Sequence, residues 1–181
     1  MTTRWINARH IKDMWSSELC GVADLMRYEI LYNHGGFAVD ADSLCIRPLE
    51  DWLFSTGDFA CWSNEHSLPG MVANGYMATE RESPLAGQII ADLSESPDVV
   101  DRRAWQSTGP ILLTQTWHRY NLPLTVWPSY FFIPEHHSGP AYTGSGPVFA
   151  RQLYATTRDA YERITSMSKE NLDQELDSLR R

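Results

Sequence analysis

No apolar run in this sequence approaches the roughly 20 residues that a membrane-crossing helix requires, which excludes a helical span. Basic clusters are missing too. The formal net charge is −8 and no Lys/Arg-rich run is present, which works against a nucleic-acid surface because phosphate neutralisation dominates that affinity. Cysteine is scarce: Cys20, Cys45 and Cys61 are odd in number and lack the paired spacing of a zinc site. They are expected to be reduced, partly buried thiols, which suits a cytoplasmic compartment. No secretory signal pattern and no internal repeat are read. Gly144, Gly146 and Pro147 are not followed by Gly-Lys-Ser/Thr, so they do not make a phosphate loop.

What is present suits a packed globule. A length of 181 residues with seven tryptophans supports one core of ordinary size, read as a single domain over 1–181. Its most informative stretch runs from Gly21 to Pro48. The spacing predicts a helix up to His34, stopped by Gly35-Gly36, since glycine tolerates the left-handed backbone that closes a helix. Val22, Leu25, Met26 and Ile30 fall in one arc of that helix, and Asp24 and Arg27 fall opposite, with Tyr28 beside them. Leu31 lies between the charges and Glu29 lies in the apolar arc, so the helix reads as covered on most sides, and a buried charge needs a partner.

After the glycines, Phe37-Ala38-Val39 leads to Asp40-Ala41-Asp42, read as a strand end. Alternate side chains of a strand share a face, which would put the two carboxylates on one side with Cα atoms roughly 7 Å apart. Such a pair suits a hard cation, Mn²⁺ or Mg²⁺, completed by substrate phosphates rather than by an all-protein cage.

The ordered set Asp24, Arg27-Tyr28, Gly35-Gly36, Phe37 and Asp40-Ala41-Asp42 resembles the glycosyltransferases with a DXD-containing sugar-binding region, a group that includes initiating mannosyltransferases and glucosylating toxins. The resemblance spans residues 21–161. It implies an α/β fold of the GT-A type, N-terminally incomplete because relatives place an opening strand and much of the base pocket before this helix; either the sequence is truncated there, or a partner chain or an unusual arrangement supplies that part. It further implies that Asp24 and Arg27 hold hydroxyls of the donor sugar, that Asn74 contacts donor or acceptor, and that Asp40 and Asp42 serve catalysis as the metal ligands. Many relatives carry a histidine where Gln152 stands. Gln152 is a poorer, neutral oxygen ligand, so either it completes the shell and the metal is held more loosely, or His136 or His137 substitutes.

Along the rest of the chain, strands are expected at Leu44-Cys45-Ile46, from Asp58 to Trp62, from Met71 to Ala78 and from Leu124 to Trp127, with an extended apolar run from Tyr130 to Pro134. Ser63 to Gly70 and Ser94 to Arg103 read as polar loops, and Asn74-Gly75 reads equally well as a turn. Ser83-Pro84 and Gly109-Pro110 should each start a helix. Trp5, Ile6, Ile11, Met14 and Trp15 fit a helix lying on the domain, and residues 168–181, with Leu172, Leu176 and Leu179, fit a surface helix. Adjacent residues of an extended backbone face opposite ways, so His136 and His137 are not expected to share a metal.

These readings converge on a metal-dependent transferase that moves a hexose from a nucleoside-diphosphate sugar to a glycan or other hydroxyl acceptor, with the retention that the resemblance suggests. A non-catalytic glycan-binding remnant and a metal-dependent hydrolase are the alternatives.

Overall fold

The structure is a computed structural model that describes residues 5–154; the expected helix at 168–181 and the end of the family-like segment lie outside them. Helix α1 (Ala8–Met14) packs on the long helix α2 (Leu19–His34). As expected, α2 stops at glycine: the Gly35 N–H donates to Leu31 O at 2.7 Å with φ +66°. A Cβ at Gly35 would also lie 2.8 Å from the Arg81 backbone nitrogen, so space and dihedral angle both require glycine there.

Glu29, placed by sequence in the apolar arc of α2, is only 2 % exposed. Its carboxylate accepts the Ile6 and Asn7 N–H groups at 2.7 and 2.8 Å, and so caps the start of α1 from another helix. Glu29→Ala should therefore cost about 1–3 kcal/mol, the loss expected when buried donors are left unpaired. Urea denaturation measures this; an unchanged midpoint would show that water replaces the cap.

The main sheet has the order β1-β4-β3-β5, built from β1 (Gly36–Val39), β3 (Phe59–Asn64), β4 (Leu68–Thr79) and β5 (Thr125–Trp127). Pairing is antiparallel at β1/β4 and β3/β4 and parallel at β3/β5, the last reached through α3 (Pro84–Glu95), the short α4 (Ala104–Ser107) and α5 (Pro110–Tyr120). Strand alternation divides the core. Ala60, Val72 and Met77 join the helical layer of Leu25, Leu31, Ile89 and Leu113, whereas Phe59, Cys61 and Tyr76 join an aromatic layer with Phe132 and Phe149. Phe59, Phe132 and Phe149 of that layer are each worth roughly 1.5–3 kcal/mol, which anchors the late segment holding β6 (Ala150–Gln152) against β2 (Ser43–Cys45).

Ser83 caps α3 as its sequence suggests, accepting the Ala86 N–H, and Pro84 and Pro110 open their helices. Several local expectations are overturned. Asn74-Gly75 is not a turn: both sit inside β4, in a bulge where Ala60 pairs with Met77 but Cys61 pairs with Ala73. The loop after β3 shrinks to 65–67, because Asn64 Oδ1 accepts the His66 and Ser67 N–H groups and turns the chain at once. Within 94–103 a 3₁₀ turn, Val99–Asp101, buries Val99, and Ser129–Phe131 forms another where extended chain was expected. Ile30, Ile6 and Trp15 are exposed, since the third helix, α3, packs on α2 away from Ile30 and nothing covers the outer side of α1 among the described residues. Cys20 and Cys45 are exposed as well.

Candidate functional site

Asp24 and Tyr28 lie one helical turn apart on the side of α2 that faces the start of α5. Asp24 is buried and accepts from Asn74 Nδ2 at 2.7 Å and from Thr108 Oγ1 at 3.0 Å. Tyr28 donates its hydroxyl to Thr108 O at 2.9 Å. Burial pushes the Asp24 carboxyl up to about 6, only partly offset by Arg27 and by the Thr108 and Asn74 hydrogen bonds. Gly109 leaves the room for this: a Cβ there would come 3.0 Å from Trp105 Cα and 3.4 Å from Asp24 Oδ2.

Arg27 joins the two halves of the site. Its guanidinium donates to Asn74 O, ion-pairs with Asp40, and lies 3.6 Å from Asp24. Burial alone would lower its pKa, yet Asp40 and then Asp24 outweigh that and hold it above the ordinary arginine value. Asp40 in turn rests on the β4 bulge: its N–H donates to Gly75 O at 3.0 Å, and a Cβ at Gly75 would fall 2.5 Å from Asp40 Oδ2. The glycine that sequence reads as a turn former instead admits a carboxylate.

Asp40 and Asp42 do not alternate along a strand. β1 ends at Val39, and Asp40-Ala41-Asp42 is a tight turn closed by the Ser43 N–H donating to Asp40 O at 3.1 Å. The two carboxylates nevertheless converge, on Gln152. Its Nε2 donates to Asp42 Oδ1 at 2.8 Å and to Asp40 Oδ2 at 3.2 Å, while its Oε1 accepts from Tyr76 at 2.9 Å and Ser43 at 3.1 Å. Reversing the amide would aim its oxygen at two carboxylates, so the chemistry of the partners decides the orientation. Gln152 thus shows the carboxylate pair a nitrogen, not the oxygen that a metal would need.

A pocket of ≈ 120 Å³ opens beside this cluster, and Asp40, Asn74, Gly75, Gln152, His136 and Tyr154 are in its wall. Asp24 and Arg27 stand one layer behind, reaching the wall through Asn74 and Asp40. His136 is held neutral, its pKa lowered to about 4 by burial and then by His137. Its Nδ1 accepts the Ser138 N–H at 3.2 Å, which leaves the hydrogen on Nε2. The histidine rings do not face apart as expected; they lie 4.3 Å from each other, against Tyr154, because the chain is a turn there. Thr108 and Tyr76 are the site residues that the sequence did not single out for it, although the Thr-Gly-Pro opening of α5 was a usable signal.

Residues 2–57 match the family described as "Glycosyltransferase sugar-binding region containing DXD motif", which takes in Asp24, Arg27, Asp40 and Asp42. The chain resembles the DXD glycosyltransferases. It is 27% identical over 116 residues to inositol phosphoceramide mannosyltransferase 2 of Schizosaccharomyces pombe, covering 60% of this chain and 31% of that protein. To inositol phosphoceramide mannosyltransferase 3 of the same yeast it is 30% identical over 98 residues, covering 52% and 26%. The chain thus spans about a third or less of the length of these curated relatives. Among solved structures, the PaToxG glycosyltransferase superposes with a TM-score of 0.52 at 13% identity, over 65% of this chain and 41% of that one. That likeness is one of fold, and the fold is α/β of the GT-A type.

Among the described residues no three His, Cys, Asp or Glu side chains form a group that could hold a metal. Asp40 and Asp42 fit a hard cation in charge and in convergence, as two oxygen donors needing a substrate diphosphate to complete the shell. Gln152, as it is bonded, does not fit as a third ligand.

Proposed function

We propose that this chain forms the donor-sugar side of a hexosyltransferase that uses a nucleoside-diphosphate hexose, a hydroxyl acceptor such as a glycan, and Mn²⁺ or Mg²⁺, with retention of configuration. The observation that supports it most is the single polar cluster in which Asp24, Arg27, Asn74, Asp40 and Asp42 are linked beneath one pocket.

Asp40 and Asp42 would hold the cation, which when bound offsets the charge that develops on a departing diphosphate. The chain's own groups do the rest. Arg27, fixed by Asn74 O and Asp40, keeps a rigid fork of donors behind the pocket wall for sugar oxygens. Asp24 is an acceptor for a sugar hydroxyl, and Asn74 and Thr108 hold its two oxygens in place. Neutral His136, in the wall of the same pocket, adds a polar ring there without adding charge. Holding donor and acceptor in one geometry supplies the remaining advantage.

The test is turnover of UDP- and GDP-hexoses with glycan acceptors, following release of the nucleotide. Release should depend on acceptor and fall about 100-fold in Asp42→Asn, the loss typical when a group stabilising a leaving oxyanion is removed. Release that ignores the acceptor would assign the chain to hydrolysis. Glycan binding with no release from any donor would assign it to non-catalytic glycan recognition.

A further inference from the structure

We propose that Gln152 is a latch on the carboxylate pair: its amide holds Asp40 and Asp42 in a hydrogen-bonded state that keeps a divalent cation out until a diphosphate brings one. The proposal rests on the reading of Asp40 and Asp42 as cation ligands.

An amide has two hydrogens and two lone-pair positions, and Gln152 uses all four, on Asp40, Asp42, Tyr76 and Ser43. The nitrogen sits at 3.2 and 2.8 Å from one oxygen of each aspartate, the place between them that a shared cation would need. It carries no lone pair to offer a metal. A cation entering alone must turn or expel that nitrogen, which breaks its two bonds to the carboxylates and disturbs the two that satisfy the hydroxyls of Ser43 and the fully buried Tyr76. Arg27 adds to the barrier by neutralising part of the Asp40 charge that would attract the ion. A cation arriving with a diphosphate faces a different balance. Phosphate oxygens fill the shell that two carboxylates leave open, and the same oxygens accept the N–H groups that Gln152 gives up. Gln152 lies in the pocket wall, 9 % exposed, so the exchange is a turn of its side chain toward the pocket. Gln152 is a positioning residue in this account, since it acts through the aspartates.

Binding of MnCl₂ to the whole chain, read by the electron paramagnetic resonance signal of free aqueous Mn²⁺, separates the possibilities without any turnover. The wild-type chain should bind Mn²⁺ weakly alone and at least about tenfold more tightly with UDP or GDP added. Gln152→Ala should bind Mn²⁺ alone at least about tenfold more tightly than wild type, with a smaller gain from the diphosphate, and Asp42→Asn in that background should remove the gain. Gln152→Glu guards against a folding failure: it keeps an oxygen for Tyr76 and Ser43 and places a third carboxylate at the pair, so Mn²⁺ should raise its melting temperature more than that of wild type. If neither variant responds to Mn²⁺ more strongly than wild type, the latch is wrong. A wild-type chain that already binds Mn²⁺ alone through Asp42 overturns the latch and leaves the cation reading standing. No Mn²⁺ binding in any variant, with or without diphosphate, overturns both.

Discussion

Arg27→Met should be destabilised by about 3–5 kcal/mol at pH 7.5, the range found when one partner of a buried ion pair is removed. The Arg27 side chain is 8% exposed and lies between Asp24, which is buried, and Asp40, which is 34% exposed at the pocket wall, so its loss leaves two carboxylates facing each other with water reaching only Asp40. The damage should depend on pH in a defined direction. Asp24 already titrates at about 6 in the folded chain, above its ordinary 3.8, and without Arg27 it should titrate higher still. A carboxyl with a raised folded pKa contributes stability that is complete below the unfolded value and is lost as pH rises through the folded one. Arg27→Met should therefore recover part of its loss at pH 5, where Asp24 takes a proton. Adding Asp24→Asn should recover part of it at pH 7.5. Urea unfolding at both pH values measures this, and equal midpoints for Arg27→Met and wild type at pH 7.5 would show that the cluster is hydrated.

Asp24→Asn, alone, should keep the fold and lose the donor sugar. The amide can be seated without an orphan: its oxygen accepts from Asn74, its nitrogen donates to Thr108 Oγ1, and that hydroxyl turns its hydrogen to Ala104 O, already 3.1 Å away. The variant should bind a nucleoside-diphosphate sugar roughly 10- to 100-fold more weakly, as for loss of a hydrogen bond to a charged group worth ~1.5–3 kcal/mol, and bind the bare diphosphate as wild type does. Calorimetry with both ligands decides it; equal losses would place Asp24 in the framework and not at the sugar. Stability gives an independent reading. Between about pH 4 and 6 the wild-type chain loses the contribution of protonated Asp24, on the order of 3 kcal/mol for a shift of about two units, and Asp24→Asn should not. His136 works in the opposite sense. Its folded value of about 4 lies below its ordinary 6.5, so its contribution is present above 6.5 and lost as pH falls toward 4. The difference between variant and wild type removes His136 and isolates Asp24.

Part of the site is written in short-range chemistry. The helical period places Asp24, Tyr28 and Leu31 together, and Gly35 ends the helix because only glycine suits its dihedral angle and its approach to Arg81. Both effects act within a turn of helix or a single residue, so they are legible from neighbours in the chain. Asp40 and Asp42 converge through a turn that brings both to Gln152, and not through the alternation of a strand that their spacing suggests. Asn74-Gly75 shows the limit of local preference, since the same dipeptide serves a turn or a strand bulge, and only pairing with β1 and β3 selects the bulge.

Local chemistry along the chain is therefore enough for the α2 helix, its glycine stop, and the order of acidic and basic groups that resembles the DXD glycosyltransferases. What those groups bond to depends on tertiary packing. Asn74 meets Asp24 across 50 residues, Thr108 meets it across 84, and Gln152 meets Asp42 across 110. A buried polar side chain must take a partner, but which partner depends on what core packing carries within about 3 Å of it. Here the aromatic layer of Phe59, Phe132 and Phe149 carries β6 to the Asp40–Asp42 turn, and with it the amide that the two carboxylates share.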